Sequence, residues 1–347
     1  MSRPTLPLCL ASTITLMGCG RVDAQAQQAR VERNMKAWLA AELHHFHDAA
    51  ADLQRAAPSP SGRGWNPTDD ARAIRQMKEA WGRARQAYEL VEGAVAPLFP
   101  DSDTATDARY DDFLASLGAA GDPEPFDDRG VVGVHAIERV LWADSVPPET
   151  VAFESRLPGY RAAAFPATEA EARSFKDKLA AKLVTDIAQL ERQLAPLDLD
   201  IAFAFRGLID LTNEQIEKVD RAATGREESR YAQTTLRDLR ANRDGCLAAY
   251  RIFQPWLLAR GHADLDAQVM AGFARLAQAY DATPGAAIPR PPSAWSGLAP
   301  KPEHLSTPFG KLFSVVQHET DDKQAGSLSH GLMSVADALG LPKAVLR

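Results

Sequence analysis

The clearest helical segment of the chain reads DDARAIRQMKEAWGRARQAYELVEGAVAPL and covers residues 69–98. Its apolar residues recur in alternating steps of three and four, which places them on one stripe of an α-helix. The stripe consists of Ile74, Met77, Trp81, Ala84, Tyr88, Val91 and Val95. Because such a stripe is stable only when other helices cover it, the segment predicts a helix packed within a bundle.

The same periodicity continues along most of the chain and is interrupted by segments rich in Pro, Ser and Gly. These breaks fall near 58–64, 147–166 and 284–305. No run of alternating β-branched residues favours a strand. The sequence therefore predicts an all-α fold made of two packed antiparallel helical bundles.

The predicted organisation has five parts, which follow from the breaks and from the N-terminal composition. They are a lipoprotein signal peptide at 1–18, a tether at 19–30, a first helical bundle at 31–146, a connection at 147–166 and a second helical bundle at 167–347.

The N-terminus has the composition of a short bacterial export signal. One Arg precedes a modest apolar stretch that is too short to span a membrane, and Leu16-Met17-Gly18-Cys19 closes it. This ending resembles a lipobox, in which cleavage leaves Cys19 as the first residue and its thiol accepts a diacylglycerol. We expect a periplasmic protein with a lipid anchor at Cys19, in the outer membrane because residue 20 is Gly rather than Asp. The alternative is an ordinary signal peptide with a chance cysteine.

The composition is that of a globular protein. The chain has 347 residues, of which 45% are hydrophobic and 24% charged, and its formal net charge is −7. A nucleic-acid binder would carry a basic face, so no nucleic-acid partner is expected. Once Cys9 leaves with the signal and Cys19 is acylated, Cys246 is the remaining cysteine, which leaves no intramolecular disulfide.

Several catalytic motifs do not occur in the sequence. It contains no Walker loop, G-x-G-x-x-G, G-x-S-x-G, C-x-x-C or H-E-x-x-H motif. His318-Glu319 begins like the last of these, but Asp322 stands where its second histidine is required. The chain therefore lacks the usual helix-borne site of a zinc protease.

Two pairs of polar residues stand at a spacing of three beside apolar stripes. Glu89 and Glu92 form one pair, and His135 and Glu138 form the other. Residues at this spacing share a helix face. Carboxylates combined with one imidazole suit iron, manganese or zinc better than Cu(I). Spacing alone also allows a solvated acidic face, with Arg85 as the partner of Glu89, and a histidine that belongs to the core.

The residues around these pairs resemble motifs of the imelysin family. The segment Gly133-Val-His135-Ala-Ile-Glu138 matches its G-x-H-x-x-E motif, and Tyr88-Glu89-Leu-Val-Glu92 resembles its Y-E-x-x-E segment. The likeness runs in order from about residue 35 to 280. It includes Thr106-Asp107-Ala-Arg109, which resembles I-D-x-R, and Gly225, Glu227, Glu228, Tyr231, Asp238, Asn242 and Gly245, which resemble the G-E-E-x-R-Y…D…N…G stretch of the EfeO/EfeM branch.

This resemblance implies a helical, periplasmic, metal-binding protein of an iron-uptake system, without the cupredoxin domain of full-length EfeO. The implied cofactor is a divalent or ferric ion, with iron first and zinc, manganese or copper as alternatives. The implied partners are a membrane iron permease and a haem-dependent peroxidase. The residues that inherit metal-site roles by position are Glu89, Glu92, Asp107, His135, Glu138 and, as a fainter match, Glu214.

Three functions remain open on the sequence. The first is a lipid-anchored metal-binding component of iron acquisition. The second is a metallopeptidase of the imelysin type, although the sequence shows neither a nucleophile nor a catalytic-water site for it. The third is a non-catalytic periplasmic lipoprotein that binds a ligand or has a structural role.

A histidine-rich segment, Glu42-Leu-His44-His45-Phe-His47-Asp48, adds one E-x-x-H pair. Ferritin-like di-iron sites use two such pairs, so we expect a polar helix face here, or at most an auxiliary metal site.

Overall fold

The computed structural model describes residues 17–341, with side chains from residue 24 onward. This part of the chain consists of helices and connecting loops and contains no β-strand, which confirms the all-α prediction. Most of the predicted signal peptide, 1–18, lies outside the described residues, and the side chain of Cys19 does so too. None of the described helices is both long enough and apolar enough to cross a membrane.

The first half of the chain forms two long helices followed by several short ones. They are α1 (Met17–Ala56), α2 (Ala71–Leu98), α3 (Pro100–Asp107), α4 (Tyr110–Leu117), a 3-10 turn (Gly118–Ala120), α5 (Gly133–Leu141) and α6 (Pro148–Glu154). Residues 19–30, for which the sequence suggests a tether, are part of α1.

The second half begins with a helix that contains a π-helical turn. Its segments are α7 (Glu169–Ser174), the π turn (Phe175–Leu179) and α8 (Ala180–Leu194). The remaining helices are α9 (Ile201–Asp220), α10 (Thr235–Ala259), α11 (Ala263–Asp281), α12 (Pro302–Leu305), α13 (Pro308–Thr320) and α14 (Leu328–Leu339).

Two hydrophobic cores hold these helices together, and α1 and α2 pass through both. Residues 31–43 of α1 and 91–95 of α2 pack with α9, α10, α11, α13 and α14. Residues 46–53 of α1 and 74–88 of α2 pack with α5, α7 and α8. Because the earlier part of α1 shares a core with the later part of α2, the two helices are antiparallel. The connection at 147–166 does not separate the cores, because α1, α2 and α8 contribute to both.

Helix α2 lies unusually close to α9 and α10 because glycines stand at the two crossings. A Cβ atom placed on Gly207 would lie 1.7 Å from the carbonyl oxygen of Gly93, and one placed on Gly245 would lie 2.0 Å from that of Leu90. The backbones therefore approach without intervening side chains. This approach presses polar residues of α9 and α10 against the face of α2 that carries Glu89.

We predict that Gly207→Ala lowers the free energy of unfolding by about 1–3 kcal/mol, because the added methyl group has to push α9 away from α2. Gly82→Ala is the matched control on α2, since its Cβ would meet only the terminal atoms of the flexible Arg237 side chain, at 3.0 Å. Chemical denaturation of both variants tests this. Equal stability of the two variants would contradict the close crossing.

Candidate metal centre

A backbone contact at Gly133 brings α3 and α5 together. Gly133 has a φ of +85°. A Cβ at this position would lie 2.4 Å from the carbonyl oxygen of Thr106. Glycine tolerates both the left-handed backbone and the contact, as larger residues do not. As a result, Asp107 at the end of α3 faces His135 in the first turn of α5.

A third residue joins this pair from the irregular segment between α9 and α10. The Nε2 atom of His135 lies 3.3 Å from Oδ1 of Asp107 and 3.9 Å from Oε1 of Glu228. His135 and Glu228 are only 2% and 1% exposed. Among the side chains that the structure describes, these three residues are the one set of potential metal ligands whose donor atoms lie within 4.8 Å of one another. We call them the triad.

Glu138 supports the triad by fixing the ring of His135. Its Oε2 atom lies 2.9 Å from Nδ1 of His135. Its Oε1 atom accepts hydrogen bonds from the backbone N–H groups of Tyr231 and Ala232, at 2.9 and 2.8 Å. In the neutral tautomer that donates its Nδ1 proton to Glu138, Nε2 would present its lone pair to the triad. That nitrogen is buried and has no hydrogen-bond partner within the described part of the chain, which fits a metal-binding imidazole.

Glu89 and Glu92 lie next to this site but face other partners. The side-chain amide of Asn242 donates to Oε2 of Glu89 at 2.5 Å and to Oε2 of Glu92 at 2.8 Å. The ammonium group of Lys218 lies 3.1 Å from Glu92 and 3.6 Å from Glu89. The structure therefore does not bring these two glutamates into the triad, where the sequence interpretation had placed them as ligands.

Arg85 connects the two groups of carboxylates. Its guanidinium group is fully buried and contacts Oε1 of Glu89 and Oδ1 of Asp107. Its Nη2 atom lies 3.0 Å from Oε1 of Glu228. The pairing of Arg85 with Glu89 allowed by their spacing does occur, but in the interior rather than on a solvated face.

The triad carboxylates are held in their charged form despite burial. Burial disfavours the charge of Asp107, but Arg85 and the contact with His135 lower its pKa. Burial also disfavours the charge of Glu228, but Lys218 and other cations hold its pKa well below the usual range. Burial works against the charge of His135, and its contacts with the carboxylates of Asp107 and Glu138 nevertheless raise its pKa. A metal would bind ionised carboxylates but would have to displace any proton on His135, so its affinity should fall as the pH falls.

A cavity of about 340 Å³ is lined by Asp107 and Glu228 of the triad, and acidic side chains dominate its wall. Acidic residues in its wall are Glu92, Asp103, Asp107, Asp112, Glu214, Glu217 and Glu228, against the basic residues Arg109, Lys218 and Arg221. The predicted site residue Glu214 lies in this wall rather than at the triad. A negatively charged cavity concentrates cations near its inner end.

Glu228 is the residue that sequence reasoning missed as a ligand. It belongs to the Gly225–Tyr231 stretch that resembles the family, yet no helical periodicity places that stretch near His135.

The E-x-x-H pair of α1, by contrast, is solvent-facing. His45 lies 3.2 Å from Glu42 and is 68% exposed. No third ligand joins this pair in the described structure.

We predict that Asp103→Asn changes the pH dependence of stability. Burial raises the pKa of Asp103 to about 7, although its hydrogen bond from Tyr88 opposes the shift. An unfolded Asp titrates near about 4. Between these pH values the folded state holds a proton that the unfolded state has lost, so this group makes stability fall as the pH rises. Asn accepts the same hydrogen bond without ionising.

Urea denaturation should therefore show Asp103→Asn to be about 1 kcal/mol more stable than wild type at pH 8, with the gain absent at pH 4. Asp101→Asn, at an exposed position of the same helix, is the control. A constant difference across this pH range would refute a shifted titration at Asp103.

The chain is similar to a known protein family over most of its length. The sequence model of the imelysin family matches residues 39–302. The "Iron uptake system component EfeO" of Escherichia coli O1:K1 is 28% identical over 203 residues, which is 58% of this chain and 43% of the relative. The proteins of the same description from Escherichia coli strain K12 and Shigella flexneri are 27% identical over the same length. The matched region thus spans less than half the length of these relatives.

Proposed function

Because this chain belongs to the imelysin family, we propose that it binds a metal ion, iron in the first place, as a component of a bacterial iron-uptake system. The observation that carries the proposal is the convergence of Asp107, His135 and Glu228 beside an acidic cavity that Asp107 and Glu228 line. The names of the relatives in Escherichia coli and Shigella supply the link to iron uptake.

The chemistry of the donor set fits a borderline or hard cation. One imidazole nitrogen and two carboxylate oxygens suit ferrous or ferric iron, zinc and manganese, whereas no thiolate lies among them to favour Cu(I). Glu138 would act through His135, as carboxylates behind ligating histidines do in metal proteins. In this proposal Glu92 and Glu214 attract the ion along the cavity and do not ligate it in the triad.

The proposed setting is the bacterial periplasm, with Cys19 as the lipid-anchored first residue. A membrane iron permease and a haem-dependent peroxidase are the proposed partners, as the family resemblance implies. In this setting the ion is a substrate that has to be bound and then passed on. The acidic cavity gives it a route to the triad from the protein surface.

We predict that Asp107→Asn, His135→Gln and Glu228→Gln each weaken binding of Zn²⁺ and anaerobic Fe²⁺ by at least about tenfold, because each removes a donor while preserving side-chain size. Glu138→Gln should weaken binding by about 10- to 100-fold through the orientation of His135. Titration calorimetry measures these affinities, and circular dichroism checks that the helices persist.

The matched control is His45→Gln, which alters the exposed E-x-x-H pair on α1 and should leave the affinity unchanged. Equal heats for wild type and the triad variants would reject the site. Incubation of the metal-loaded protein with an unfolded protein substrate, with and without chelator, tests the metallopeptidase alternative, for which we expect no cleavage.

We predict that Cys19→Ser releases the protein from the membrane fraction into the soluble periplasm, because the acyl chains are its attachment. Labelled palmitate should enter wild type and not the variant. A variant that stays in the membrane pellet, together with unlabelled wild type, would contradict lipidation.

A further inference from the structure

We propose that Arg85 is a built-in competitor of the metal ion: its guanidinium group binds the carboxylate oxygens that face His135 and thereby limits the affinity of the site and its preference for highly charged ions. This inference rests on the metal site proposed above. It assigns to a residue of α2 a role in how tightly the ion is held.

The competition follows from the individual atoms. Oδ1 of Asp107 is the oxygen nearest to Nε2 of His135, at 3.3 Å, and it is also the oxygen that Arg85 contacts through Nη1. Oε1 of Glu228 lies 3.9 Å from the same nitrogen and 3.0 Å from Nη2 of Arg85. An ion placed between His135 and these two oxygens would occupy the position in which Arg85 now neutralises them.

Burial makes this competition strong. Arg85 and Glu228 are 0% and 1% exposed, so solvent screens their interaction little. In the absence of a metal, the guanidinium group lies between the facing oxygens of Asp107 and Glu228, whose mutual repulsion would otherwise be unfavourable. The apo fold therefore needs the charge of Arg85, and metal binding has to replace it.

Glu89 makes the replacement feasible. It stands one helical turn after Arg85 and contacts the same guanidinium group through Oε1. When an ion takes over Asp107 and Glu228, Arg85 keeps this partner and is not left isolated in the interior. Glu89, which the sequence suggested as a metal ligand, thus has a different role. It holds the guanidinium group of Arg85 that the ion displaces.

The charge of Arg85 also affects the choice between ions. Two ionised carboxylates and one guanidinium group sum to a single negative charge, whereas the carboxylates alone carry two. The repulsion between Arg85 and a bound ion scales with the charge of that ion. The residue therefore opposes a trivalent ion more than a divalent one. When the ion is released, the carboxylates can pair with Arg85 again. This exchange suits a protein that must pass its ion on.

The test compares Arg85→Gln with Arg85→Lys in titrations with Zn²⁺, by calorimetry, and with Tb³⁺, by luminescence. We expect Arg85→Gln to lower the melting temperature of the apo protein and to tighten Zn²⁺ binding by at least about tenfold, because a buried charge is removed next to the ion. The gain for Tb³⁺ should be larger. Arg85→Lys keeps the charge and should stay within a few-fold of wild type for both ions.

Arg275→Gln is the matched control, since it also deprives a buried carboxylate, that of Glu319, of its arginine. It should lower the melting temperature without changing either affinity. If Arg85→Gln does not fold, the double variant Arg85→Gln/Glu89→Gln removes both charges of the ion pair and should show the same tighter binding.

Weaker or unchanged Zn²⁺ binding by a folded Arg85→Gln or double variant would overturn the inference while leaving the metal site standing. A wild type that binds neither ion would overturn the proposed function itself, and this inference with it. Tighter binding accompanied by a less stable apo protein is the result that a purely structural arginine would not give.

Discussion

The structure depends on cations that neutralise the carboxylates buried where α2 meets α3, α5, α9 and α10. Moving an unpaired carboxylate into such surroundings costs several kcal/mol even after the protein relaxes. Arg85 and Lys218 meet this requirement, each lying between two or more acids. Because both cations are attached to helices, the helices have to hold the positions at which the charges match. The charge network and the packing therefore specify the same arrangement.

Three glycines allow the backbones to come close enough for these charges to meet. Gly207 and Gly245 bring α9 and α10 onto α2, so that Lys218 and Asn242 reach the glutamates of α2. Gly133 brings the first turn of α5 onto the end of α3. Side chains at these positions would separate the helices and stretch every contact of the site. Close helix packing is thus the reason that a hydrophobic bundle can hold a polar centre.

The sequence predicts part of this arrangement well. The helices follow from periodicity because burial of an apolar stripe is a local property of each segment. The closeness of His135 and Glu138 follows in the same way from their spacing on one helix. The partners of Glu89 and Glu92 do not follow from the sequence. Lys218 and Asn242 lie on other helices, and the spacing of residues on α2 does not determine where those helices pack. The entry of α1 and α2 into both cores does not follow from the sequence either, because helical periodicity does not determine which helices pack together.

The segment that carries Glu228 shows how an irregular stretch can still hold a precise geometry. Tyr231 donates from its hydroxyl group to Glu154 and from its backbone N–H to Glu138. Arg230 lies 2.8 Å from Asp111. The segment is thus fixed to α4, α5 and α6, and it also orients His135 through Glu138. Movement of this stretch would shift Glu228 and release Glu138 together, so two of the three triad residues depend on one set of contacts. The geometry of the triad therefore depends on the assembled fold and is not determined by any single helix.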